Sequence, residues 1–372
     1  MRERNMTMVL SRVVFALGLG FFGAPAWAQT IKLGALLPLT GPGSVIGGLE
    51  REGIQFAVDQ ANEKGGIRGH KIQMIIQDHQ AKPYQAVLDF NSLVDLDQVA
   101  AVLCSYSGPT LAIAPLATRK KVLLINSGAQ ADNLAHASPY LINTLPMIGD
   151  EVGVLARYLV QTRGLKRAAI LYENDSAGIS GRDDFVAAFT KAGGSIVAQE
   201  RTDFGDTNFR PDLMELAGAK PDVLFVVLTV AAQPLAEQYK QLDLSFPIAG
   251  TSFFADPKLI ADPSATGWIH TQVEIEAPPD LAADFHRRFH EDMEFHARQW
   301  YNGTVILLTA IDKTVAEGKP VTGENIRQAI FEIRNFQGIM PVEFKTNTAS
   351  AEIDIDEIRA GEDRLLTRLK AE

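Results

Sequence analysis

Ile31-Lys-Leu-Gly-Ala-Leu-Leu-Pro-Leu39, with the glycine-rich turn Gly41-Pro-Gly-Ser-Val-Ile-Gly47 behind it, opens the pattern that decides the fold. A short apolar run of strand length leads through that turn into a helix. The helix carries Ile54, Phe56, Ala57, Val58 and Ala61 mostly on one face at the helical period, and Asn62-Glu-Lys-Gly-Gly66 stops it. A second strand, Lys71 to Ile76, is followed by Asp78, a helix through Ala86, Leu88, Phe90, Leu93 and Val94, and the apolar strand Val99 to Leu103. Strand-helix-strand units with short links predict a parallel sheet wrapped by helices.

The same order returns further along. A strand over Arg167 to Tyr172 precedes a polar loop, Glu173 to Gly181, and a helix from Asp183 to Lys191. Then come the strand Ser195 to Glu200, the turn Asp203-Phe-Gly-Asp206, a helix near Phe209 to Leu216 and the strand Asp222 to Leu228. Two copies of one plan predict two similar lobes, each with its loops at the carboxyl ends of its strands, where open α/β sheets bind ligands. Facing edges make a cleft. Beyond it lie a charged helix, Leu281 to His296, and an apolar one, Tyr301 to Val315, both expected to return to the first lobe. The stretch Pro341 to Leu366 is expected to cross back to the second. The crossings predict a hinge near Leu145, Thr271 and Phe344.

At the amino end, Arg2, Arg4 and Arg12 precede an apolar run from Val13 to Phe22 that closes on Ala26-Trp27-Ala28, which reads as a secretory signal peptide over residues 1–28. Its apolar core is shorter than the roughly 20 residues of a spanning helix. The residue after it is Gln29, so a lipid-modified cysteine is not expected there. The formal net charge of −10 becomes more negative once the leader's three arginines and one glutamate are removed, which argues against nucleic acid as a partner. One cysteine, Cys104, cannot form an internal disulfide, so stability must come from a core.

With both strand sets in place, residues 31–345 resemble the branched-chain amino acid-binding (leucine/isoleucine/valine-type) receptors of ABC transporters. The resemblance rests on Ile31-Lys-Leu-Gly with Leu39-Thr-Gly-Pro42, Asn62-Glu-Lys-Gly-Gly-Ile67 with Gly69, Asp78 followed by Pro83 and Gln85-Ala86, and Val122-Leu-Leu-Ile125, in that order. It implies an α/β chain of the type I periplasmic binding protein fold, with two Rossmann-like lobes joined by a multi-crossing hinge. The expected division is residues 29–145 with 272–340 in one lobe and 146–271 with 341–372 in the other. The implied function is ligand capture in the periplasm by hinge closure, with delivery to membrane permease subunits, by a monomer that needs no cofactor.

The resemblance also implies a site. Ser105, in the loop Cys104-Ser-Tyr-Ser-Gly-Pro109, stands where the family holds the ligand carboxylate, with Tyr106 and Ser107 beside it. A hydroxyl and free N–H groups at a helix start suit an anion; the lesser alternative is that Ser105 or Ser107 only caps the helix. Gly128, Ala129 and Gln130 match the other first-lobe contacts. The family's aromatic residue in the first loop falls on Ile46. In the second lobe the expected tyrosine falls on Ala177, an expected aromatic on Thr229, and the glutamate for the ligand ammonium on Ser252, next to Phe253. The expected ligand is therefore an amino acid or a small organic carboxylate, aromatic ones included. Glu173, Asp175 or Glu274 is the alternative ammonium partner. The cysteine that family members pair with the one before the serine loop falls on Ala81, so Cys104 is expected to be a free, buried thiol.

Other chemistry is weaker. His286 and His290, four residues apart with Glu294 and His296 nearby, could present two imidazoles to a metal, but Arg287, Arg288, Glu291 and Asp292 around them favour a solvated face, and no metal is expected. Gly41-Pro-Gly43 lacks dinucleotide-fingerprint spacing, and the sequence contains neither a P-loop nor a Gly-x-Ser-x-Gly elbow. The sequence leaves two other function classes open: a sensor that docks on a membrane signalling receptor, and an enzyme on a Rossmann-like frame.

Overall fold

The computed structural model describes residues 30–370; the segment read as a signal peptide lies outside them. The first lobe begins with β1 (Ile31–Leu37), α1 (Ser44–Glu63), β2 (Ile72–Asp78), α2 (Pro83–Asn91), β3 (Ala101–Cys104), α3 (Ser107–Lys120), β4 (Leu123–Asn126) and β5 (Leu141–Asn143). Its five strands pair in the order β2-β1-β3-β4-β5, all parallel. The chain then crosses to α4 (Ile148–Arg157), β6 (Arg167–Glu173), α5 (Ser176–Lys191), β7 (Ser195–Thr202), α6 (Arg210–Gly218), β8 (Val223–Val227), α7 (Ala232–Gln241), β9 (Ile248–Gly250), α8 (Pro257–Ala261) and β10 (Ile269–Gln272). It returns through α9 (Pro279–Phe289), α10 (Phe295–Ala316), α11 (Gly323–Ile333) and the hairpin β11 (Asn335–Phe336) and β12 (Val342–Glu343). The antiparallel pair β13 (Glu352–Arg359) and β14 (Glu362–Lys370) closes the second sheet, ordered β14-β13-β10-β9-β8-β6-β7.

Burial explains the uninterrupted apolar runs. Leu33, Ala35 and Leu37 of β1 face a core shared with α1, α10 and α11, while Leu36 faces the core under α2 and α3. In β8, Val223, Phe225 and Val227 pack toward α4 and α5, and Leu224 and Val226 toward α6 and α7. Strands covered on both faces have no polar side to alternate. Helix α10 runs across the first lobe against α1, so tightly that a Cβ on Gly53 would stand 2.2 Å from the carbonyl oxygen of Ala297.

The structure corrects several expectations. The charged helix does not run from Leu281 to His296. It ends at His290, which adopts a left-handed φ of 59°, and the chain turns so that Met293 enters the interior ahead of α10, whose first residue, Phe295, is also buried. Most of the expected loop 173–181 is helix, because Asp175 caps α5 by accepting the N–H of Gly178 at 2.7 Å. Residues 341–349 do not join the second lobe: Val342, Phe344 and Ala349 pack in the first core, and the crossing falls after them. The Asn143 N–H donates to the Asn347 carbonyl and the Ala349 N–H to that of Asn143, both at 2.8 Å, so the first and last crossings lie side by side. No helix among the described residues is long and apolar enough to cross a membrane.

Candidate functional site

The carboxyl ends of both sheets face each other across a narrow cavity. Ile46, Tyr106, Ser107, Gly128, Ala129 and Gln130 line it from the first lobe, and Ala177, Thr229 and Phe253 from the second. All nine were singled out in the sequence. Two further lining residues, Glu50 and His296, carry no expectation as ligand contacts from the sequence, and a third, Asp175, is expected only as an alternative ammonium partner. Glu50 lies one turn beyond Ile46 on α1, and that i, i+4 spacing was the available signal. His296 stands in the first turn of α10, the same distance before Trp300.

Ser105 and Ser252 are placed differently from expectation. Ser105 is buried but does not line the cavity, and its hydroxyl makes no hydrogen bond among the described residues. Neither serine caps α3, whose first turn has no side-chain cap; the Ser107 hydroxyl instead accepts the Ala131 N–H at 3.2 Å. The amides of Gly128 and Ala129 are likewise committed. Both donate to Asn126 Oδ1, at 3.1 and 2.7 Å, which leaves them without a free proton for a ligand anion. Ser252 belongs to a network at the lobe boundary. Buried Glu151 of α4 accepts from Gln130 Nε2, from the Ser252 N–H at 3.0 Å and from Thr271 Oγ1 at 2.8 Å. The single Ser252 hydroxyl proton is shared between Glu151 Oε1 at 3.0 Å and Gln130 Oε1 at 3.1 Å. This latch ties the first lobe to the second without a ligand.

The polar end of the cavity has the opposite character. Glu50 is 2% exposed, and its Oε2 has no partner; Ser105 Oγ, Tyr106 OH and Trp300 Nε1 are also buried and unpaired among the described residues. Ser105 and Trp300 lie close enough to favour the ionised carboxyl, yet burial outweighs them and pushes Glu50 up to about 8. Burial also raises Glu173 to about 7, against the Thr229 N–H that its Oε2 accepts at 2.8 Å, and raises Asp175. It lowers His296 to about 4, leaving a neutral ring. Glu274, the third alternative ammonium partner, is instead at the surface with Arg368. Cys104 is buried and free, its thiol pushed to about 12. Tyr106 holds a left-handed φ of 65°, a strain that a bulky residue tolerates only where packing fixes it. His79 helps: its Nε2 lies 3.1 Å from the Ser105 carbonyl oxygen, and across the boundary Phe204 meets the Tyr106 ring edge-on at 5.8 Å.

The family model described as "Periplasmic binding protein" matches residues 30–356. The chain belongs to that family. It is 28% identical over 218 residues to the Leu/Ile/Val-binding protein homolog 3 of Brucella melitensis, covering 58% of this chain and 59% of the relative. The match thus spans about three fifths of the relative's length. A solute-binding protein of Rhodopseudomonas palustris in complex with benzoate superposes with a TM-score of 0.84 at 20% identity, over 92% of this chain and 97% of the other. The branched-chain amino acid transporter substrate-binding protein of Streptococcus pneumoniae in complex with isoleucine gives 0.79 at 21%, over 92% and 99%. The type I periplasmic binding protein fold is shared throughout. His286 pairs with Asp292 at 3.2 Å, and no group of three metal-ligating side chains occurs among the described residues.

Proposed function

We propose that this chain is the substrate-binding component of an ABC transporter: a monomer exported through residues 1–28 that captures a small amino acid or organic carboxylate between its lobes and presents the closed form to permease subunits. The observation that carries this reading is the cavity itself, lined from both lobes beside a hinge of several crossings. A ligand that touches both lobes has higher affinity for the closed form, and that difference is what shifts the population. Hinge closure is the general motion of this class of receptors and is taken from the class. Ile46, Ala177 and Phe253 offer apolar walls, and the relatives and neighbours named for branched-chain amino acids and benzoate set the size of molecule expected. The family model and the solved neighbours named for substrate-binding transporter proteins support carriage rather than turnover.

The test is a thermal-shift screen of the purified protein against amino acids and small carboxylates, followed by small-angle scattering with any molecule that binds. Binding should raise the melting temperature and reduce the radius of gyration. A ligand recovered chemically changed would overturn the receptor reading.

A further inference from the structure

The buried carboxyl at the polar end of the cavity is the feature that the family resemblance does not account for. Glu50 lines the cavity, while Ser105 and Trp300 stand near it without lining the cavity themselves. A Cβ added at Gly128 would lie 3.0 Å from Trp300 Nε1 and 3.6 Å from Glu50 Oε1, so the carboxyl is packed against the first-lobe loop that was expected to hold a ligand carboxylate. An entering ligand meets an acid there in place of a serine. The amides of Gly128 and Ala129 are already bonded to Asn126, and no lysine or arginine lines the cavity among the described residues.

We propose that Glu50 is the specificity-determining residue of this cavity, and that it selects a ligand presenting a protonated amine to it while excluding one that presents only a carboxylate. The proposal rests on the receptor reading and narrows its ligand class. An ammonium group supplies both the countercharge and the donors that the unpaired Glu50 Oε2 lacks. A carboxylate in the same place gains no countercharge from either lobe: it would face the neutral Glu50 acid on the first and Asp175 on the second, with no cation lining the cavity among the described residues. The amino-group site would then lie on the first lobe, in place of the second-lobe position now held by Ser252.

Proton linkage separates the two cases. The ionisable groups around Glu50 are Cys104 and Tyr106 from β3 and the loop after it, His296 from α10, and Asp175 with Glu173 from β6 and the start of α5. Burial keeps Glu50 protonated near neutral pH, raises the Cys104 and Tyr106 groups out of the range, and leaves His296 neutral. An amine that ionises Glu50 must therefore displace a proton, whereas a carboxylate must leave the proton in place.

The experiment is calorimetric titration of the purified protein at pH 7 with aliphatic and aromatic amino acids, each beside its deaminated acid and its decarboxylated amine. Two buffers of different ionisation enthalpy report proton release. The expected result is binding of the amine-bearing members with release of about one proton each, and at least about thirtyfold weaker binding of them by Glu50→Gln, because a buried charge loses its partner. Proton release from the wild-type protein does not depend on how the variant folds. Tight binding of the deaminated acids without proton release would overturn the inference and leave the receptor reading standing. Silence from the whole panel counts against the receptor reading and removes the inference with it.

Discussion

Two buried glutamates stand on either side of the lobe boundary, and their surroundings differ in one respect. Glu151 has its carboxylate met by Gln130, Ser252 and Thr271, drawn from both lobes and the hinge strand β10. Glu50, equally buried, has an oxygen without a hydrogen-bond partner among the described residues, although Ser105 and Trp300 stand near the carboxyl. A buried carboxylate surrounded by donors costs little to keep and fixes the elements that supply them. One left short is retained at a cost in stability, and such costs are characteristic of binding sites. The first group is a latch and the second an unmet demand.

The largest test of that contrast falls on the latch. Glu151→Ala strands the Ser252 amide, the Thr271 hydroxyl and the Gln130 amide, and should cost about 4 kcal/mol in denaturant unfolding. A loss below about 1 kcal/mol would mean that water replaces the carboxylate and that the two glutamates do not differ in kind.

Glu50 should respond in the opposite direction. Its acid group is raised from 4.5 to about 8, so the folded state binds the proton more tightly than the unfolded chain does. Stability should then fall as pH climbs from about 4.5 to about 8 and stay low above that. Glu50→Gln should remove this fall and leave the ligand-free protein more stable at pH 8 by roughly 3 kcal/mol. Glu173, raised to about 7, has the same sign and keeps a residual slope up to that pH. Parallel stability curves for the two proteins between pH 5 and 8 would refute the assignment.

The smallest effect sharpens how far the strained first-lobe loop depends on the second lobe. Phe204→Ala removes the edge-on contact with Tyr106 across the boundary. It should weaken ligand binding by about fivefold, near 1 kcal/mol, with the unfolding free energy of each lobe little changed. Unchanged affinity would show that Tyr106 is held from its own lobe, by His79 and the start of α3.

Much of the molecule is legible in its sequence for a simple reason: parallel strands buried on both faces appear as continuous apolar runs, and helices between them carry a 3.6-residue period. That was enough for the lobes, the order of elements and the loops that line the cavity, since those loops follow the strands by rule. Boundaries suffered where a local turn decided them, at His290 and at Asp175. Residues 341–349 were misplaced because a strand-like run does not say which core it enters.

The sequence by itself determined two α/β lobes and the loops at their strand ends, because periodicity and strand-end topology are local properties, and the family resemblance added nine residues of the cavity wall. Only the tertiary structure decided what the polar atoms do there. Asn126 takes the amides of Gly128 and Ala129, Glu151 reaches Ser252 from 101 positions away, and Glu50 turns into the place read for Ser105. Hydrogen-bond satisfaction is a matter of which groups meet in space, and a chain's order of residues does not state it.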